Sequence, residues 1–283
     1  MRLRVILCSL LPALALAGEE PESAYLPTGE YRRMKMTGFV VLVNPEADRH
    51  PALRDTALAE LRKQLSAVAA VVPRDRLDLI RRTRIWVEWS AKPGGAAEHH
   101  PSEGWLRANG YNPDKAGDVE INNLRHFLDW SRKTQPCMVL HELAHALHHL
   151  TRKENHPRIV AAFEKAMEEG LYDAVRHANG TRQKAYAATN PMEYFAELTE
   201  AYFGKNDFEP FNRKELKRHD PEGYQMIREV WGVPGSGATG QKSGRGADSL
   251  PTPDFWKAEG EGPQPPVIST TTEAGSAGAT SEP

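Results

Sequence analysis

The pentapeptide His141-Glu142-Leu143-Ala144-His145, set in the run Cys137-Met-Val-Leu-His-Glu-Leu-Ala-His-Ala-Leu-His-His-Leu150, constrains this chain more than any other feature. An α-helix turns once in 3.6 residues, so side chains at i and i+4 leave one face a single turn apart. Two imidazoles at that spacing can share one ion. Glu142 points to the edge of the same face, where its carboxylate reaches a water without ligating the metal. Leu140, Leu143, Ala144, Ala146 and Leu147 are uncharged, and no Pro or Gly interrupts them, as a buried helix requires. With 11 histidines in 283 residues, chance produces this spacing in roughly four such chains per hundred. Chance copies fall mostly on charged, solvated helices.

A catalytic zinc takes three protein ligands and keeps one position for water. A histidine six residues beyond His145 would be position 151, which is Thr151, and position 148 is not Gly, so the pattern with a third histidine on the same segment fails. His148 and His149 lie further along the helix. At a rise of 1.5 Å per residue, they are carried away from an ion centred between positions 141 and 145, which puts them beside the site or on the surface. The better source is Tyr186-Ala-Ala-Thr-Asn190-Pro-Met-Glu193-Tyr-Phe-Ala-Glu197-Leu-Thr-Glu200. Glu193, Glu197 and Glu200 share one helical face, and three stacked carboxylates repel unless a cation faces them. The competing reading makes Asn190 an N-cap and Glu193 the third residue of a capping box, with the others solvated. A carboxylate on a metal cannot also bond fully to its own helix terminus.

These residues carry a resemblance. His141 to His145, Glu193 forty-eight residues past His145, Tyr186 seven before it, and the string Glu193-Tyr-Phe-Ala-Glu197 resemble the gluzincin peptidases of the anthrax lethal factor and secreted Pro-Pro endopeptidase type, over residues 137–204. The resemblance implies a zincin-like fold and a zinc-dependent endopeptidase acting on a peptide or protein. It implies zinc on His141, His145 and Glu193, with Glu142 as the base. Tyr186 would stabilise the oxyanion, and Glu197 would accept a hydrogen bond from a ligand histidine. Two other functions compete: a secreted zinc-stabilised binding module without turnover, and a hydrolase of another amide, such as one in a cell-wall polymer. Glu142 argues against the first, because a structural site needs no base.

The rest of the chain sets the frame. Residues 1–17 hold Arg2 and Arg4, an apolar run from Val5, and Ala15-Leu16-Ala17 at the end, which reads as a cleaved signal for a secreted or periplasmic protein. Gly18, Glu19 and Glu20 stop that run at 13 residues, short of the ~20 that span a bilayer. With Cys8 in the leader, Cys137 stands alone, either as a buried thiol or one turn before His141 and near the metal. The net charge of −2 and pI of 6.6 give no basic footprint for nucleic acid. Hydrophobic content of 40% suits one domain, expected over 18–234. Residues 235–283 are rich in Gly, Ser, Thr and Pro without periodicity and read as a disordered tail in which Phe255-Trp256 is an inert pair or a docking motif.

Within the domain we expect a polar arm over 18–37, strands at 39–43, 84–89 and 119–121, and an amphipathic helix at 52–70 closed by Pro73. Residues 91–118 are dense in turn formers and read as a long loop system, where Trp105 and Tyr111 either wall the site or pack on the surface. Helices follow at 124–130, 137–152 and 156–169, then a hairpin over 172–187 with Asn179-Gly180 between its arms. A helix from Asn190-Pro191 to Phe203 and one over 214–231 complete the set. Strands early and helices late predict an α+β fold, a small mixed sheet followed by a mainly helical half.

Overall fold

In the computed structural model, which describes residues 25–91, 94–152 and 156–234, a five-stranded mixed sheet is followed by a helical half. The expected leader, the tail and Phe255-Trp256 lie outside the described residues. Among those residues, no helix is long and apolar enough to cross a membrane.

The sheet begins with a strand absent from the sequence reading. Residues 32–36 are not part of an irregular arm; β1 (Arg32–Met36) pairs antiparallel with β2 (Phe39–Val43). Thr37 and Gly38 both have positive φ, 52° and 89°, the backbone of a two-residue hairpin turn that matches strand twist. Gly38 is favoured there by that φ, which L side chains rarely adopt; a Cβ would also stand 2.5 Å from Arg81 Nε, and Arg81 Nη2 donates to Thr37 O at 3.1 Å. The strand is hard to see because Arg32, Arg33 and Lys35 face outward at a sheet edge, where charge prevents pairing with another chain.

β2 runs parallel to β3 (Ile85–Val87), β3 parallel to β5 (Val119–Ile121), and a two-residue strand β4 (Glu98–His99) closes the far edge antiparallel to β5. Residues 91–118 are therefore not all loop: they hold β4 and a short helix, α3 (Glu103–Ala108), capped by Ser102. Two helices, α1 (Pro51–Val71) and α2 (Arg74–Ile80), precede it in the chain. The second of these was not expected, since Pro73 ends the first helix but also starts the next.

Alternation across the strands sorts the two faces. Val41, Val43, Ile85, Val87, Val119 and Ile121 join the main core, whereas Leu42 and Trp86 form a smaller cluster with Tyr31 on the other side. In register with Trp86, Glu120 continues that second row, and Glu98 follows it on β4. Carboxylates buried in such a row need cations. Lys115 Nζ lies 2.8 Å from Glu88 Oε1 and 2.7 Å from Glu120 Oε1, Tyr31 donates to Glu88 at 2.6 Å, and His100 Nε2 meets Glu120 Oε2 at 2.5 Å. Burial alone would raise the Glu120 carboxyl, but His100 and Lys115 hold it below the usual range. This network anchors β4 through the residue that follows it.

The helical half holds α4 (Leu124–Lys133), α5 (Met138–Arg152), α6 (Pro157–Glu168), α7 (Pro191–Phe203), α8 (Arg213–His219) and α9 (Pro221–Val230). A small hairpin, β6 (Val175–Arg176) and β7 (Arg182–Gln183), is shorter than expected. The single helix expected over 214–231 is two, because Pro221 cannot continue α8 but fits the first turn of α9. Asp220 sits at the break: Oδ1 accepts from Gly223 N at 2.7 Å, and Oδ2 accepts from Tyr172 and Tyr194 at 3.0 and 2.5 Å. A Cβ on Gly223 would meet Asp220 Oδ2, Leu198 Cδ2 and Tyr194 Oη at 2.5 Å.

Lys115→Met removes the cation that bridges Glu88 and Glu120 while keeping the stem. Leaving a buried charge unpaired costs about 3–5 kcal/mol, so urea unfolding at neutral pH should show a loss of that size. A loss under about 1 kcal/mol, the worth of an exposed pair, would contradict the structural role given to this network.

Candidate metal centre

α5 packs along α7 in antiparallel fashion, and polar residues of both helices meet within that contact. His141 Nε2 lies 3.1 Å and His145 Nε2 3.3 Å from the same oxygen, Glu193 Oε2. The two imidazoles meet edge to face, ring centroids 4.8 Å apart. Ligand-type atoms of His141, His145 and Glu193 all lie within 4.8 Å of one another. Asn190 caps α7 by accepting from Met192 N and Glu193 N at 2.8 and 2.9 Å. The cap expected from the sequence is thus present, but the Glu193 carboxylate turns to the histidines rather than back to the helix end. Burial alone would raise that carboxyl, but hydrogen bonds to His141 and His145 hold it well below the usual range.

The other nitrogen of His141 corrects one expectation. Nδ1 lies 2.7 Å from Glu200 Oε1 and 3.8 Å from Glu197 Oε1, so Glu200, not Glu197, makes the hydrogen bond to this ring. Position i+7 rather than i+4 serves because the antiparallel crossing sends the far nitrogen along α7 toward its C-terminal turns. Burial pushes the Glu200 carboxyl up to about 7. With carboxylates at both nitrogens, the His141 pKa is raised well above the ordinary value against the effect of burial.

Glu142 is buried beside these groups and shares with them a cavity of about 880 Å³. Burial raises its carboxyl above the ordinary range. Tyr186 lies on the same cavity in a single 3-10 turn, residues Tyr186–Ala188, and not at a strand end. At 49% exposure the side chain remains accessible. Burial of its polar end and the Glu193 charge raise its pKa.

The opposite wall is β4, a contribution missed by the sequence reading. Ala97, Glu98 and His99 line the cavity, and the His99 ring lies 6.5 Å from His145 and 5.5 Å from His149. Adjacent histidines in a turn-rich segment were the available signal, but only the pairing of β4 with β5 brings them to the site. Trp105 and Tyr111 stack on each other at 5.5 Å and are not among the cavity residues. Cys137 turns into the core, where its Sγ accepts from Lys205 N at 3.2 Å and burial drives the thiol pKa up. His148 is buried, edge-on to Phe195, and neither ring nitrogen has a hydrogen-bond partner among the described residues; it behaves as a core ring.

Over residues 122–231 the chain matches the model of a family described as glucose-regulated metallo-peptidase M90. The matched segment contains His141, Glu142, His145, Tyr186, Glu193 and Glu200 and supports a metallopeptidase class. No curated protein and no solved structure matches the chain.

The geometry separates Glu200 from Glu197. Removing a carboxylate that orients a ligand imidazole typically weakens metal binding about 10–100-fold. In competition with a chelator, Glu200→Ala should show that loss and Glu197→Ala a smaller one; the reverse order would return the orienting role to Glu197.

Proposed function

We propose that this chain is a secreted zinc-dependent peptidase of the zincin fold, in which His141, His145 and Glu193 hold the ion and Glu142 is the general base. One observation carries the reading: Glu193 Oε2 stands 3.1 and 3.3 Å from the two histidine nitrogens. Three ligands at about 2.0–2.1 Å from one zinc, in a tetrahedral arrangement, lie roughly 3.3 Å apart. Two neutral imidazoles and one carboxylate are also a donor set that zinc accepts, and one that leaves a position open. The adjoining cavity favours turnover over a purely structural ion, and the metallopeptidase family match supports the same class.

Bound there, zinc would supply Lewis acidity that eases the deprotonation of water and polarises a carbonyl oxygen. Glu142 takes the proton of the attacking water and passes it to the leaving amine; its raised pKa suits a group that must hold that proton between the two steps. Tyr186 donates its phenolic hydrogen to the developing oxyanion. Glu200 accepts from Nδ1 of His141, which fixes the tautomer and leaves the Nε2 lone pair for the ion. The gluzincin resemblance supports the roles of Glu193 and Tyr186, and the leader-like residues 1–17 are the basis for secretion.

The purified chain should carry one zinc. His141→Ala or His145→Ala should lose it, whereas Glu142→Gln should keep it and hydrolyse no peptide; full activity in Glu142→Gln would refute the base. Removing one oxyanion donor costs about 10² to 10³ in kcat. Tyr186→Phe should fall by that order with zinc content and KM close to the parent, and an unchanged kcat would leave Tyr186 a wall residue only.

A further inference from the structure

Beyond His141 the cavity changes character. Because α5 and α7 are antiparallel, the later turns of α7 lie beside the start of α5: His145 meets Glu193, His141 meets Glu200, and Cys137 meets Lys205. Trp130, Met138 and Phe208 line this end, and its carboxylates are Glu197, Glu200 and Asp207. Apolar walls around an acidic floor are a different surface from the histidine site next to it.

Two of these three groups have histidine partners, and the third keeps one oxygen without a partner. Glu200 is engaged by His141 Nδ1 at 2.7 Å. Asp207, the most accessible of the three, lies 3.5 Å from His177 Nε2. Glu197 is 1% exposed and is raised above the ordinary carboxyl range by burial; Asn206 hydrogen-bonds its side chain, but among the described residues Oε2 has no partner. Lys184 stands on the cavity wall with its side chain exposed. The α5 terminus offers little, since the Val139 amide is taken by Gln64 at 3.0 Å. A buried carboxylate oxygen without a partner is costly, and carboxylates grouped in a cavity attract a cation. Trp130, Met138 and Phe208 add a preference for a cation on an apolar stem, because long basic side chains bury their methylenes and keep the charged head among polar groups.

We propose that this end of the cavity is a subsite for a lysine or arginine side chain of the peptide, adjacent to the bond that is hydrolysed. The stem lies along Trp130, Met138 and Phe208, and the charged head faces Asp207 with Glu197 and Glu200 behind it. The assignment rests on the peptidase reading for its position in the reaction, while the cation preference itself can be measured without turnover.

The test uses the full chain, zinc-loaded and carrying Glu142→Gln so that bound peptides persist. N-acetylated peptide libraries, with lysine, arginine, norleucine or glutamate fixed at each position in turn, exclude a free amino terminus as the source of charge. At one position lysine or arginine should bind at least 10-fold more tightly than norleucine. Asp207→Asn should reduce that ratio to about 1, and His177→Gln, which breaks the same ion pair but keeps the carboxylate, should preserve it. Equal binding of lysine and norleucine at every position overturns the proposal, as does a ratio indifferent to Asp207→Asn. A second metal equivalent lost on Glu197→Gln would also overturn it, by assigning these carboxylates to an ion. Parent protein that binds with the lysine preference but cleaves nothing would instead sink the peptidase reading and leave the cationic subsite standing.

Discussion

A single carboxylate oxygen organises the second half of this molecule. Glu193 Oε2 approaches the Nε2 atoms of both His141 and His145, and for that to happen α5 and α7 must cross at one register with their polar residues facing inward. Two helices that bury histidines and glutamates against each other gain little from the contact itself, since desolvation offsets much of the attraction. Their association depends on the apolar residues around it: Leu140, Leu143, Ala144 and Leu147 from α5, and Phe195, Ala196 and Leu198 from α7, all in the main core. Burying such side chains contributes about 1.5–3 kcal/mol each for the larger ones. The core thus holds in place a constellation that would not assemble on its own account.

The sheet does the corresponding work on the other side. β4 is only two residues long, too short to be held by its ladder alone. His100, immediately after it, is fixed to Glu120, and Glu120 to Lys115. The wall of the cavity is therefore attached through a buried ionic network as well as through Ala96 and Ala97 on the core, which ties the position of His99 to charges on the far face of the sheet.

How much of this was legible in the sequence follows from the range of each interaction. The His141–His145 spacing, the Asn190 cap and the apolar strand Phe39–Val43 are local, and each is found where expected. β1 is hard to read because three of its five residues are charged and lie at an edge, so its alternation rests on Met34 and Met36 alone. The exchange of Glu200 for Glu197 could not be read from residue spacing, since both share one face of α7 and only the crossing with α5 decides which reaches His141. β4 was hidden for a similar reason: in a segment full of turn formers, pairing with β5 is a tertiary fact. The Asp220 break is local as well, because Pro221 stands in the sequence and ends α8 as it begins α9.

The junction at Asp220 ties distant parts of the chain into one thermodynamic unit. Its Oδ2 holds the hydroxyls of Tyr172 and Tyr194, and Tyr194 is the neighbour of Glu193 in the first turn of α7. Whatever loosens α8 or α9 therefore loosens the residue next to the shared carboxylate, about as far along the chain as the described fold extends. Linkage runs both ways: an ion bound between α5 and α7 would stabilise the last helices by the same free energy that their fraying would subtract from its affinity. The C-terminal helices, which among the described residues contribute no side chain to the site, would thus help set how tightly an ion is held there.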